Sequence, residues 1–154
     1  MYPQETFFHN NHMTVPLEHF VVECETYEEF EKRFAKELLN ESALVGDYLE
    51  RLLYKYDKRA AAVSKDAGLA FAYVGNIINH KKNNPSRDVL IAICFALGAT
   101  FEETQYLLKY AGHAPLYVRR KRDVIIWFGL VKGQDIYTVN ENLIEHGLKP
   151  LIKD

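Results

Sequence analysis

The chain has 154 residues, with 48% hydrophobic and 26% charged side chains and a formal charge of −2. This is the balance of an ordinary globular protein, which excludes wholesale disorder and, at the level of total charge, a strongly basic nucleic-acid binder. The total conceals a split, because residues 1–41 carry −6 and residues 42–154 carry +4.

Other counts close further classes. Cys24 and Cys94 are the two cysteines, too few for a disulfide framework or a four-cysteine zinc site, so a reducing cytoplasm is the expected setting. No apolar run approaches the roughly 18 to 20 residues of a membrane span, and residues 1–10 lack the pattern of a signal peptide. A cytoplasmic protein with no membrane partner is expected.

Helical punctuation begins at residue 26; before it, only Val15–Glu23 reads as a strand. Thr26-Tyr-Glu-Glu29 has the form of a capping box, and Phe30, Phe34 and Leu38 recur every four residues behind it, so a helix is expected to about Leu39. A second helix is expected from Val45 to Tyr56, with Tyr48, Leu49, Leu52 and Leu53 inward. A short alanine-rich helix follows over Lys58–Ala67, closed by Gly68, then another over Phe71–Asn79. Ser86 is a good cap for a helix over Arg87–Leu97 that Gly98 ends, and Thr100-Phe-Glu-Glu103 opens one to about Ala111. The run Asp123–Lys132 is apolar nearly all round. By composition it fits a buried strand or a buried helix, and its length, preceding basic residues and following glycine favour the helix. Thr138-Val-Asn-Glu141 is expected to cap a last helix ending at Gly147.

The stretch Lys58–Glu103 carries the most information. Val63 and Ala67, then Gly68 and Leu69, then Val74 and Ile77, then Lys81-Lys82-Asn83-Asn84-Pro85-Ser86, and finally Leu90, Ile93, Leu97-Gly98 and Phe101-Glu-Glu103 form an ordered series. The series resembles the helix-turn-helix of the lambda-repressor/Cro-like (XRE) family over about 60 residues, including that family's Gly-Lys-Arg-Asn-Pro-Ser loop. The resemblance implies an all-α fold: a compact helical bundle with a lambda-repressor-like helix-turn-helix core over 42–112. An acidic N-terminal arm and amphipathic helix over 1–41 would precede it, and a C-terminal two-helix extension over 113–154 would follow. It also implies a sequence-specific DNA-binding transcriptional regulator of bacterial or phage origin, with a repressor as the expected sense and residues 71–79 as the recognition helix in a major groove.

Local charge agrees. Lys58, Arg59, Lys65, Lys81, Lys82 and Arg87 face Asp66 alone, a net +5 over residues 58–87. The expected DNA contacts are Lys58, Arg59, Phe71, Ala72, Tyr73, Asn76, Asn79, His80, Lys81 and Lys82, joined by Arg119, Arg120 and Arg122 of the dense cluster Arg119-Arg-Lys-Arg122. Within that set Asn76 and Asn79 suit adenine, Phe71 or Ala72 a thymine methyl, and Tyr73 a phosphate. The sequence departs from the family pattern at the reading positions. Ala60 stands where glutamine is usual, Ala70–Asn76 lacks the usual serines and arginines, and His80 replaces the loop glycine. No Arg, Lys or Gln lies between residues 66 and 80. The alternative is therefore a protein–protein adaptor or inhibitor on the same fold, binding through Phe71 and Tyr73.

The apolar helix over 123–132 is either core or a homodimer interface, and the acidic N-terminal segment is a second candidate protein-binding element. His9, His12, His19 and Cys24 lack paired zinc spacing, so no metal is expected. Cys94, among apolar neighbours, reads as a small buried hydrophobe. Nothing in the motifs calls for a cofactor or for enzymatic chemistry.

Overall fold

The computed structural model describes residues 20–36, 38, 41–82 and 84–152. All regular structure among them is helical, and no strand occurs. The chain divides into two units, residues 1–40 and residues 41–154.

In the first unit, α1 spans Tyr27–Phe34 and its N-terminus is built as the capping signal predicts. Thr26 Oγ1 accepts from Glu29 N–H, while the Glu29 carboxylate reaches one residue further back than a capping box requires, to Glu25 N–H. The helix stops at Phe34 rather than near Leu39. An isolated helix this short gains little from its own backbone, and its apolar side packs locally: Phe34 lies 4.9 Å from both Phe20 and Phe30, centroid to centroid. The strand expected over Val15–Glu23 is also corrected. Residues 20–23 are helical, and 15–19, like His9, His12 and His19, lie outside the described residues.

The second unit contains α2 (Glu41–Lys55), α3 (Ala60–Asp66), α4 (Tyr73–Ile78), α5 (Arg87–Leu97), α6 (Phe101–Tyr110), α7 (Lys121–Lys132) and α8 (Ile136–Glu145). Its axis is α5, where Leu90 to Cys94 are all fully buried. Five consecutive buried residues leave no solvent side, as expected of a helix enclosed by others. Around it pack α3, α6 and α8, with α2 lying against α4 and α6. Burial pushes the Cys94 thiol up to about 12, so it stays protonated and apolar in character.

Caps decide most boundaries. Ser86 Oγ accepts from Val89 N–H, and Thr100 with Glu103 forms a complete capping box. The last helix begins earlier than expected: Asp135, not Thr138, is its cap, accepting from Thr138 N–H at 2.8 Å. Carboxylates and hydroxyls are both good caps, and the Asp signal three residues upstream prevails.

Residues 113–152 belong to the same compact unit as the helices before them. The apolar run is a helix, as its length favoured, and it is two-sided. Ile126 and Gly129 are buried, Trp127 stacks on Phe101 at 4.0 Å, and Phe128 and Val131 are exposed. Gly129 permits the approach of α7 to α8, since a Cβ there would stand 2.4 Å from Val139 Cγ2 and 3.1 Å from Phe95 Cζ. The chain end returns to the α3–α4 turn. Leu151 is buried with its N–H on Asn140 Oδ1, and Ile152 Cγ2 lies 3.3 Å from where a Cβ of Gly68 would stand.

Candidate nucleic-acid interface

Residues 60–82 begin with two short helices, and one side chain locks them together. Ser64, fully buried in α3, donates to Ala60 C=O at 2.9 Å and accepts from Val74 N–H at 3.0 Å. The second bond satisfies an amide at the start of α4 that has no partner inside its own helix. Gly68 takes φ +78 to turn the chain between them, and Leu69 N–H closes on Ser64 C=O at 2.8 Å. Val63, Ala67, Val74 and Ile77 are buried, the inward set expected from the sequence. From the other side α2 presses close: a Cβ on Gly46 would sit 2.8 Å from the Ile77 carbonyl oxygen. Neither Ser64 nor Gly46 stood out in the sequence. The signal available for Ser64 was a lone hydroxyl in a run of alanines and valine.

This packing leaves the opposite side of α4 half-buried, with exposed residues at its two ends. Phe71 is 78% exposed; together with Ala72 it lies in the turn before α4, not inside the helix as expected, because α4 begins at Tyr73. Ala72 and Asn79 are exposed, Asn76 and Gly75 half-buried, and no atom lies within 4 Å of where a Gly75 Cβ would stand. Tyr73 is half-buried with Lys82 Nζ 4.7 Å from its ring centroid, and burial raises its hydroxyl pKa, keeping it neutral.

The loop after α4 turns at His80, which adopts φ +60. That is the left-handed region glycine prefers, at the position where the resembling family carries glycine. The His80 ring lies 4.0 Å from Asp47 of α2. The N–H groups of Lys81 and Lys82 both donate to Asn76 C=O, at 2.8 and 3.0 Å, so the backbone places two exposed lysines directly after α4. At the head of α3, Arg59 is the N-cap residue with no side-chain capping bond, and Lys58 donates to Ala96 C=O at 2.8 Å while remaining exposed.

The arginines fare differently. Arg87 gives both terminal nitrogens to Asp123, at 3.2 and 3.1 Å, and its remaining donors to Ala114 and Pro115 carbonyls. Asp123 is 4% exposed and also accepts from Tyr117 N–H. Arg122, expected on phosphates, holds Asp88 through two bonds of 2.9 and 3.0 Å and reaches the carbonyls of Lys149 and Pro150. It is a bidentate clamp between α7 and α5, committed internally because Asp88 comes within reach only in the folded chain. Arg119 and Arg120, in the turn before α7, are exposed.

The structure therefore gathers Phe71, Ala72, Tyr73, Asn76, Asn79, His80, Lys81 and Lys82 on α4 and its two flanking turns. Lys58 and Arg59 open the neighbouring helix, Arg119 and Arg120 lie on a separate turn, and Arg122 is withdrawn. With Arg87 neutralised by Asp123, five cations remain over residues 58–87 against Asp66. Among the described residues no group of three or more His, Cys, Asp or Glu could hold a metal ion, and no helix is long and apolar enough to cross a membrane. Compared with family models, curated proteins and solved structures, the chain finds no match.

Proposed function

We propose that this chain is a duplex-DNA-binding transcriptional regulator, with α3 and α4 acting as a lambda-repressor-like helix-turn-helix and α4 entering a major groove. The observation that carries this reading is the side of α4 turned away from the Ser64 lock, half-buried along the helix, exposed at Ala72 and Asn79 and followed at once by Lys81 and Lys82. In this reading these lysines, with Arg59 and Lys65, neutralise phosphates, and Arg119 and Arg120 on their separate turn add further positive charge. A repressor of bacterial or phage type, acting in the cytoplasm, is the form the reading takes. Two copies paired through the exposed Phe128 and Val131 side of α7 would match two half-sites.

The full-length chain should bind random duplex at low salt, with log affinity falling against log salt by several units. Exchanging both Lys81 and Lys82 for glutamate should abolish that binding. No binding of the unaltered chain at low salt overturns the proposal. A second reading, an adaptor or inhibitor that grips a protein, is favoured by the exposed ring of Phe71. It predicts that the double glutamate variant keeps its partner while Phe71→Ala loses it.

A further inference from the structure

We infer that α4 selects A·T base pairs from the major groove, through Asn76 and Asn79 on adenine and Phe71 on a thymine methyl; the inference rests on the DNA-binding reading above. Four features carry it. Over the six residues of α4 and its caps, Val74 and Ile77 point inward, and helical spacing puts Ala72, Gly75, Asn76 and Asn79 on the opposite side. Gly75, with open space around its Cβ position, and Ala72 add almost no bulk there, so the helix backbone can come close to the groove floor. Close approach suits asparagine, whose short amide must be brought near a base edge to pair in bidentate fashion with adenine N6 and N7. Asn79 is exposed and Asn76 half-buried at that surface.

The remaining groups narrow the choice of base. Guanine is read chiefly by bidentate Arg or Lys on its O6 and N7, and the stretch from Ala67 to Asn79 has neither. The nearest, Lys81 and Lys82, stand beyond the His80 turn that ends α4, and Lys82 Nζ lies 4.7 Å from the Tyr73 ring centroid, positions suited to the phosphate rim. Phe71, 78% exposed at the leading turn, offers the apolar contact that a thymine C5-methyl takes. Charge supports the occupant: Lys81 and Lys82 follow this side and Arg59 and Lys65 are exposed on the neighbouring α3 and its cap, with Asp66 as the acid on α3 and Asp47 near His80.

The test uses the full chain and duplexes about 20 base pairs long, measured by fluorescence anisotropy at fixed salt. A duplex with an A·T-rich centre should bind about tenfold or more tightly than a G·C-rich one of equal length. Asn76→Ala and Asn79→Ala should each shrink that ratio several-fold. Replacing thymine by uracil, which removes only the methyl, should weaken the unaltered chain and leave Phe71→Ala unaffected. Replacing adenine by 7-deazaadenine should weaken the unaltered chain and spare the asparagine variants.

Gly75→Leu provides a control that folding does not confound. No atom outside its own helix backbone lies within 4 Å of the Cβ position, so its thermal midpoint should hold or rise while DNA affinity falls at least tenfold. Equal, salt-dependent binding to both duplexes overturns this inference and leaves the DNA-binding reading standing. A·T preference indifferent to uracil and 7-deazaadenine also overturns it, since that is minor-groove readout. Absence of binding at low salt overturns both.

Discussion

Two sets of cations in the second unit meet opposite fates. Arg87 and Arg122 are each about three-quarters shielded and bound to Asp123 and Asp88, riveting α5 to α7 and to the chain on either side of α7. Lys81 and Lys82 stand in solvent after α4. The difference is chemical. A planar guanidinium meets a carboxylate through two parallel bonds and still has donors for nearby carbonyls, whereas an ammonium on a flexible stem is easily left hydrated. A count of positive residues around the candidate site therefore overstates the charge available to a polyanion, and what is left over there is Lys58, Lys65, Lys81 and Lys82 together with Arg59, Arg119 and Arg120.

The contrast is broken hardest at Asp123. Asp123→Ala leaves the Arg87 guanidinium and Tyr117 N–H without their carboxylate, and unfolding free energy should fall by about 3 kcal/mol. Urea denaturation measures it, and a loss below about 1 kcal/mol would show the arginine to be as free as the lysines. Gly129→Ala tests the apolar neighbour of that rivet. The added Cβ must displace Val139 from 2.4 Å, and the cost should be about 2 kcal/mol by the same assay, despite alanine's better helix propensity.

Ser64→Ala moves the question to the other region. Loss of the acceptor for Val74 N–H, in a fully buried setting, should cost about 1 to 2 kcal/mol and should weaken DNA binding along with stability. Smallest of all, exchanging Lys81 and Lys82 for glutamate should change stability by no more than about 0.5 kcal/mol, because neither forms an ion pair among the described residues, while the proposed DNA binding should be lost. A large stability loss in that variant would erase the contrast.

Acid provides an independent handle on the frame. Glu103 is buried, which alone would raise its pKa, but hydrogen bonds from Lys55, Tyr56 and Thr100 N–H outweigh burial and hold it below the ordinary value. A carboxyl with a depressed folded pKa stabilises fully above its unfolded value of about 4.3 and loses that contribution as pH falls through the folded value. Thermal midpoints taken from pH 5 down to pH 3 should therefore drop more steeply for the native chain than for Glu103→Gln.

Much of this fold was legible because helix signals are local. Ser86, Thr100 and Gly98 act on groups three or four residues away, so their caps could be read directly, and Tyr48, Leu49, Leu52 and Leu53 follow from the helical repeat. Errors arose where local signals competed or had no packing behind them. Asp135 displaced Thr138 as a cap, Phe71 fell into a turn, and α1 ended before Leu38. The basic residues of the candidate site were legible as types and positions. Their availability was not, since Asp88 lies 34 residues from Arg122 and Asp123 lies 36 from Arg87.

The order of amino acids was enough to specify an all-α fold for the second unit, an acidic leading segment, a turn at Gly68 and a basic stretch around it, because caps, glycines and periodicity work through neighbours. Which charges face water is another matter. Carboxylate partners come from distant turns, and Ser64 binds Val74 N–H only once α3 and α4 cross. Burial also has no meaning until helices enclose one another. For those reasons the withdrawal of two arginines, the half-buried outer side of α4 and the space at the Gly75 Cβ position are properties of the assembled helices.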